Sequence, residues 1–391
     1  MSRILYAAFD PVPAPKGASR HIRALVEGLV ADGHAVDLAT LPARWQPLAW
    51  PGVRAWPLAQ AATPNVLARA DAFGAHVLAL AQAGSHRAWH VRDVWQGVPL
   101  ALWRDATGGT TPLIWEVNGL PSFELPVHLP GLATQPALLA RLRALEQRLL
   151  RAADRLVAVS PVTARCLVDL GADPGRVRIV PNGVELAAFS PTAGDGEGPE
   201  LLYVGTLAPW QGLDTLLAAL ALLPPAVRLR VIGPPGRGWA ARLRGRAARL
   251  GVAGRVLLAP PLAPADVPAA LARARVCVAP LDGSARNVVQ GCCPLKLLEY
   301  AAAGRPIVAS AVPPVEALFQ HGESAWLVPP DDPAAWAQAL QAVLADAALR
   351  ARLAAGARAL AEGWDWSHIQ AAWRATYAEL GVTAPAATRT A

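Results

Sequence analysis

The sequence has few of the residues that cross-link small secreted domains or bind metal ions. Its four cysteines, Cys166, Cys277, Cys292 and Cys293, show no spacing typical of metal ligands. Adjacent cysteines seldom bridge to each other, so we expect reduced thiols, no disulfide framework and no metal site. No apolar run reaches the length of a membrane span, and the first residues lead directly into a strand pattern without a signal-peptide core. These absences predict a cytoplasmic protein.

Lysine is almost absent as well. The chain has two lysines, Lys16 and Lys296, and otherwise takes its formal charge of +7 from arginine. A compact ammonium group is not interchangeable with a planar guanidinium group, and both lysines fall in glycine-bearing turns ahead of, or at the start of, predicted helices. The net charge fits nucleotide phosphates, anionic lipid heads or nucleic acid. Because both lysines lie in turns of this kind, we favour two sites that each bind an anion or a polar group.

Strands and helices alternate along the first half of the chain. Predicted strands cover residues 3–9, 35–40, 53–57, 89–91, 113–115, 156–159 and 177–181, and predicted helices include 19–32, 64–82 and 136–155. This alternation predicts a parallel sheet covered on both faces, with ligands beyond the carboxyl ends of its strands. We expect Ser19 to cap the first helix.

The predicted helix 136–155 carries leucines on one arc and arginines on another. Its arginines on that second arc are Arg141, Arg148, Arg151 and Arg155. The pattern indicates a core-facing helix with a solvated arginine face, and a helix lying on an anionic membrane surface is the alternative.

The strand pattern restarts after residues 191–199, a linker rich in Gly, Asp and Glu. Further strands are predicted at 201–205, 229–232, 256–258, 276–279 and 307–309, and residues 332–380 are mostly helical. The sequence therefore predicts two doubly wound α/β domains. The first covers residues 1–190, with a final helix at 366–385 packing back on it, and the second covers 191–365.

Polar residues gather in two predicted strand-end loops of the first domain. One contains Arg92 and Asp93, and the other begins at Glu116 and includes Asn118 and Ser122. Binding of a ligand and simple loop hydrogen bonding explain such residues equally well.

The stretch 291–306 is predicted to form a loop, a short helix with Pro294 in its first turn and Gly304 as its cap, and the start of a strand. Lys296 and Glu299 lie three residues apart on one face near the helix N-terminus, where backbone N–H groups favour an anion. A carboxylate one turn further can accept hydrogen bonds from a sugar diol. The pattern suits a nucleotide sugar, and the alternative is an ordinary helix with a solvated Lys/Glu pair.

Several motifs along nearly the whole chain resemble GT-B glycosyltransferases of the large retaining family 4, also called group 1. They are the Lys16-Gly17 loop, the stretch from Glu116 to Ser122, Val159-Ser160-Pro161, the stretch from Val180 to Val184, Tyr203 to Thr206 with Trp210-Gln211-Gly212, and the stretch 291–306. The resemblance implies two Rossmann-like domains that face each other across a cleft. It also implies a retaining, metal-independent transfer of sugar from a nucleotide-sugar donor, bound mainly by the second domain, to a glycan or lipid-linked acceptor. The absence of an Asp-x-Asp motif agrees with the lack of a metal.

The resemblance also implies roles for single residues. Those implied to bind the donor are Gly205, Thr206, Gln211, Gly212, Gly233, Lys296, Leu297 and Glu299. Glu299 would hold the ribose hydroxyls and Lys296 the diphosphate. Those implied to take part in catalysis are Lys16, Gly17, Arg92 and Glu116, with Asn118 and Ser122 on the acceptor side. We expect no cofactor, a UDP-sugar donor rather than a GDP-sugar, no nucleic-acid partner, and peripheral contact with the inner membrane surface as an open question.

The sequence departs from the family pattern at three places. Gly291 stands where members frequently carry the first of two glutamates seven residues apart, and Thr206 and Gln211 stand where many carry Arg and Lys. Lys296, Arg286 or Arg237 could supply the missing charge. The histidine that often follows the fourth or fifth strand is replaced near Arg92 and Glu116, which makes these residues and Asp93 candidates for orienting the acceptor. A non-catalytic GT-B scaffold is therefore the alternative function, whereas an NAD-dependent oxidoreductase would need a glycine fingerprint that the chain lacks.

Overall fold

The computed structural model describes residues 2–14, 16–43, 50–59, 65–190, 200–234 and 238–383. The chain divides into two compact units, the first formed by Met1–Pro181 with Ile369–Ala391 and the second by Asn182–His368. The predicted linker 191–199 and Arg237 lie outside the described residues.

A seven-stranded sheet forms the centre of the first unit. Its order is β3-β2-β1-β4-β5-β6-β7, and all neighbouring strands are parallel. The strands are β1 (Arg3–Pro11), β2 (Ala35–Leu41), β3 (Val53–Pro57), β4 (Ala88–Val91), β5 (Leu113–Val117), β6 (Arg155–Ala158) and β7 (Val177–Ile179). The helices are α1 (Gly17–Ala31), α2 (Val66–Ala83), α3 (Val94–Thr107), α4 (Pro121–His128), α5 (Pro136–Ala152) and α6 (Pro161–Asp169). The strand order reverses between β1 and β4, where the loops diverge and a ligand can enter.

The second unit repeats this plan with six parallel strands in the order β10-β9-β8-β11-β12-β13. The strands are β8 (Glu200–Val204), β9 (Arg228–Ile232), β10 (Val256–Ala259), β11 (Val276–Ala279), β12 (Ile307–Ser310) and β13 (Trp326–Val328). The helices are α7 (Leu213–Leu222), α8 (Trp239–Arg249), α9 (Val267–Ala272), α10 (Leu295–Ala302), α11 (Pro313–Glu316), α12 (Pro333–Ala345) and α13 (Ala347–Glu362), and α14 (Trp366–Ala378) is the last helix within the described residues. Here the order reverses between β8 and β11.

Strand β5 shows how the sheet positions polar groups. Leu113, Trp115 and Val117 belong to one buried apolar cluster. Because side chains alternate across a strand, Ile114 and Glu116 point to the opposite face. The sequence predicted that Glu116 lies in a loop, and this is wrong: β5 continues to Val117 and Glu116 is fully buried within it.

Two other predicted positions are also wrong. Helix α1 begins at Gly17, so Ser19 does not cap it, and the Ser19 hydroxyl instead accepts a hydrogen bond from the Ala14 N–H at 2.9 Å. Helix α5 ends at Ala152, and Arg155 is the first residue of β6, where it donates to Glu379 at 2.8 Å.

Helix α5 packs its leucines inward. Leu142 and Leu149 are buried, whereas Arg141 and Arg148 are exposed. This is the arrangement expected of a core-facing helix with a solvated arginine face. No helix in the described ranges combines the length and the apolar character needed to cross a bilayer.

A buried carboxylate joins the amino-terminal parts of several strands of the first unit. Asp37 on β2 accepts hydrogen bonds from Arg54 at 2.7 and 2.9 Å, Trp56 at 3.2 Å and Arg3 at 3.1 Å, and it lies 3.0 Å from His86 Nε2. Burial alone would raise the pKa of Asp37, but these donors outweigh it and hold the pKa well below its usual range.

We expect Asp37→Asn to lower the free energy of unfolding by about 2 kcal/mol at pH 7, because one buried acceptor of charged donors loses its charge. A carboxylate with a depressed pKa stabilises the fold above its unfolded pKa, and that contribution disappears as the pH falls through the folded value. The difference between wild type and variant should therefore shrink in acid. Urea denaturation followed by circular dichroism at pH 7 and pH 3 measures it, and an equal difference at both values would contradict this account.

Candidate functional site

Glu116 is the centre of a buried polar cluster in the first unit. Its Oε2 accepts a hydrogen bond from the Tyr6 hydroxyl at 2.9 Å and lies 3.1 Å from His90 Nε2. Its Oε1 lies 2.7 Å from His21 Nε2. Burial alone would raise the pKa of Glu116, but its charged and hydrogen-bonded neighbours outweigh burial and hold the pKa well below its usual range. Glu116 is therefore an ionised group that organises its neighbours.

Three other predicted residues connect to Glu116 at the carboxyl ends of β1, β4 and β5. Arg92 Nε lies 3.3 Å from Glu116 Oε1, and Asn118 Nδ2 donates to the same oxygen at 2.5 Å. Asp10 Oδ2 is 3.9 Å from Arg92 Nη1, and Asp10 Oδ1 accepts from exposed Lys16 at 3.3 Å. The structure thus brings together Lys16, Arg92, Glu116 and Asn118, with Asp10 as an intermediary that the sequence did not single out.

The other predicted residues of the first unit have different surroundings. Asp93 Oδ2 accepts from the Phe9 N–H at 3.2 Å, and burial raises the pKa of Asp93 to about 6. Ser122 donates its hydroxyl and its N–H to Glu146 of α5, at 2.8 and 2.7 Å. Gly17 is the first residue of α1. The hydrogen bonds of Ser122 are therefore those of a helix-to-helix contact.

Two further residues, His90 and Tyr377, extend the cluster toward helix α14. His90 Nδ1 lies 2.6 Å from the Tyr377 hydroxyl, and burial lowers the pKa of His90 and raises that of Tyr377. Because the Glu116 carboxylate only accepts, His90 must carry its proton on Nε2, and Tyr377 then donates to Nδ1. The contact fixes the tautomer of His90.

We expect nitrogen-15 NMR of the wild-type protein to show His90 as the neutral Nε2–H tautomer, because that form alone donates to Glu116. Tyr377→Phe removes the hydroxyl donor and should cost about 1 kcal/mol of stability without changing packing volume. Thermal unfolding measures the loss, with Gln147→Ala at an exposed position of α5 as the control. An Nδ1–H tautomer in the wild type would contradict the assignment.

In the second unit, Lys296 is buried at the point where the strand order reverses. Its Nζ donates to the Tyr203 hydroxyl at 2.9 Å and to the side-chain oxygen of Gln211, and lies 4.3 Å from the centre of the Tyr203 ring. The Tyr203 hydroxyl in turn donates to the carbonyl of Thr206 at 2.8 Å. Burial lowers the pKa of Lys296 to about 7. A buried amine whose acceptors are uncharged is suited to receive an anion.

Helix α10 contains both Lys296 and Glu299. Every residue from Lys296 to Ala302 is buried, so the alternative of a solvated Lys/Glu pair is wrong. Pro294 directly precedes the helix, and Gly304 follows it with a φ of +60°, which confirms the predicted glycine cap. Leu297 is fully buried, so its side chain packs in the core.

Two glycines permit close backbone contacts at the ends of β8 and β9. A Cβ at Gly233 would lie 1.8 Å from the Gly205 carbonyl oxygen, and one at Gly212 would lie 1.6 Å from the Pro280 oxygen. Packing of the backbone therefore accounts for glycine at both positions, and their predicted donor-binding role stays a prediction.

Two family models match the chain. The first, described as Glycosyltransferase Family 4, matches residues 15–188, and the second, described as Glycosyl transferases group 1, matches residues 198–346. A D-inositol 3-phosphate glycosyltransferase from Xylanimonas cellulosilytica is 33% identical over 304 residues, which are 73% of this chain and 70% of that protein. The chain belongs to the group 1, or family 4, glycosyltransferases.

Other relatives of this glycosyltransferase agree with the assignment. The enzyme of the same name from Acidothermus cellulolyticus is 36% identical over 245 residues, and the chain spans about half of its length, 52%. Sucrose-phosphate synthase from Thermosynechococcus elongatus has a similar structure, with a TM-score of 0.83 and 23% identity over 97% of this chain and 99% of that one. HepE of Anabaena in complex with UDP-glucose gives a TM-score of 0.75 at 17% identity, over 97% of this chain and 100% of that one. These structures share the GT-B fold of two doubly wound domains, which confirms the predicted fold class.

Proposed function

We propose that this glycosyltransferase moves a sugar from a nucleotide-sugar donor to a hydroxyl group of a glycan or lipid-linked acceptor, with retention of configuration and without a metal ion. The observation that carries the proposal is buried Lys296, whose amine faces the uncharged Tyr203 hydroxyl and Gln211 amide at the carboxyl end of β8. Such an amine lacks the counter-charge that a diphosphate would supply.

Transfer of a sugar leaves negative charge on the departing diphosphate. Cations and N–H groups that are already in place stabilise that charge more than a solvated group would. Lys296 is the second residue of helix α10, so its amine and the positive end of the helix dipole belong to the same turn. Both would act on the leaving group, and neither requires a metal.

Glu299 is proposed to accept hydrogen bonds from the ribose hydroxyls. It follows Lys296 by one helical turn and is 6% exposed. A carboxylate in such a position binds a vicinal diol through two charge-assisted hydrogen bonds. We propose a UDP-sugar as donor, which the UDP-glucose complex of HepE supports by analogy.

The first unit is proposed to orient the acceptor hydroxyl through Arg92 and Asn118. Both contact Glu116, which holds them at the strand ends. The relatives named D-inositol 3-phosphate glycosyltransferase make inositol 3-phosphate the first acceptor to test.

The alternative function, a non-catalytic scaffold, is motivated by the missing cations at positions 206 and 211. Lys296 lies beside Gln211 and supplies a cation there, which argues against that alternative.

Mass spectrometry of reactions run in EDTA tests the function. The donors are UDP-glucose, UDP-N-acetylglucosamine and GDP-mannose, and the acceptors are inositol 3-phosphate, oligosaccharides and a polyprenyl-linked sugar. We expect transfer from a UDP-sugar, with the anomeric configuration of the product equal to that of the donor by proton NMR. An inverted product would contradict the retaining mechanism, and restoration of activity only by Mg²⁺ or Mn²⁺ would contradict metal independence.

A further inference from the structure

Two consecutive side chains in the turn after β8 hold two cations. Gln211 accepts a hydrogen bond from Lys296, and the indole ring of Trp210 lies under the guanidinium group of Arg286, with its Cζ 5.0 Å from the ring centroid. Trp210 itself is 8% exposed, so it offers a fixed surface. Because residues 210 and 211 are neighbours in the chain, the two cations lie at the same end of the sheet.

The position of Arg286 is also fixed from a second side. Its Nη1 donates to Asn287 Oδ1 at 3.0 Å, and the Asn287 amide group donates to the Trp210 carbonyl at 2.9 Å and to the Asp282 carbonyl and carboxylate at 3.0 and 2.8 Å. Asn287 is fully buried. Asn287 connects the loop after β11 to the turn after β8. Arg286 therefore contacts Trp210 directly and is also linked to it through Asn287.

The geometry suits a phosphate. When a guanidinium group lies over an aromatic ring, the flat face of the guanidinium contacts the ring. The N–H donors point outward from the edge of the guanidinium group, where they can pair with two phosphate oxygens. Arg286 is half-buried, so a ligand at the strand ends can reach it. Burial and, to a lesser degree, the positive charge of Arg286 lower the pKa of Lys296, so the two cations are near enough to repel each other. An anion that contacts both relieves that repulsion.

We propose that Arg286 is a second anion-binding residue of the donor site and that it binds the same diphosphate as Lys296, with Trp210 and Asn287 as its positioning residues. The inference rests on the proposed function, because it deepens the account of the same site. It assigns the charge that Thr206 and Gln211 do not provide to Arg286 and Lys296 together.

Calorimetric titrations with UDP and with uridine test the proposal. We expect Arg286→Leu to weaken the binding of UDP by about 10- to 100-fold, the usual worth of charge-assisted hydrogen bonds, and to leave the affinity for uridine unchanged. Trp210→Leu, which keeps the charge and removes the stacking surface, should weaken UDP by about 3- to 10-fold. The matched control is Arg244→Leu on the exposed face of α8, which should bind UDP as the wild type does.

Three results would overturn the inference. If Arg286→Leu binds UDP normally while Lys296→Met does not, the proposed function stands and the second cation is wrong. An equal loss of affinity for UDP and uridine would assign a structural role to Arg286. If the folded wild type has no affinity for UDP, GDP or ADP, both the function and the inference are wrong. Should Arg286→Leu fail to fold, Arg286→Gln replaces it in each titration.

Discussion

Lys296→Met is expected to bind UDP about 100-fold more weakly than the wild type and to lose sugar transfer by a similar factor. The methionine keeps most of the volume of the buried chain, so the change removes the charge and the donors to Tyr203 and Gln211 with little effect on packing. Arg244→Met on α8 is the control for loss of one positive charge elsewhere on the second unit. Calorimetry for UDP and a radiolabelled-sugar assay measure the two losses.

The pH dependence of UDP binding is a second test of the role of Lys296. Because burial lowers the pKa of Lys296 to about 7, the Lys296 ammonium group loses its proton above that pH, and an anion that binds to the charged form must restore the proton. We expect the affinity of the wild type for UDP to fall as the pH rises from 7 to 9. Lys296→Arg, which stays charged throughout this range, should show a flat profile. Unchanged UDP affinity in Lys296→Met, or a flat wild-type profile, would contradict the role of Lys296.

Glu299→Ala is expected to reduce sugar transfer by about 100-fold, because a buried carboxylate that holds two hydroxyl groups supplies two charge-assisted hydrogen bonds. A purely structural residue would also reduce activity when it is removed. The comparison of UDP with 2′-deoxy-UDP separates the two cases. The wild type should prefer UDP, and Glu299→Ala should bind both ligands equally, because the partner of the 2′-hydroxyl is gone.

Glu299→Gln is the matched control, since it keeps the shape of the side chain and removes the charge. Its discrimination between the two nucleotides should fall between those of the wild type and Glu299→Ala. Thermal unfolding shows whether either variant has lost its fold. A Glu299→Ala protein that still prefers UDP over the 2′-deoxy compound would remove Glu299 from the ribose site.

The parallel sheets could be predicted because their central strands are short apolar runs separated by helices and turn residues. That pattern also places Arg92 and Lys296 near strand ends, where the structure has them. The burial of Lys296 and Glu299 could not be predicted, because helix α10 is short and a helical spacing alone does not show which faces the rest of the unit covers. The alternative of a solvated pair is therefore wrong, and the sequence alone could not exclude it.

The cluster around Glu116 shows what local patterns miss. His90 and Tyr377 are 287 residues apart, and no spacing rule relates them. His21 lies on α1 and Tyr6 on β1, so each has an ordinary position when its own element is considered alone. Only the packing of α1, β1, β4 and α14 around one carboxylate brings them together. Arg286 was among three candidates for the missing charge, and its stacking on Trp210 distinguishes it.

A crystal structure of the wild-type protein grown with UDP-glucose in EDTA tests the central claim most directly. We predict that the diphosphate lies at the carboxyl ends of β8 and β11, with a phosphate oxygen within hydrogen-bonding distance of Lys296 Nζ and the ribose hydroxyls on Glu299. A nucleotide bound elsewhere at full occupancy, with Lys296 still hydrogen-bonded only to Tyr203 and Gln211, would contradict it.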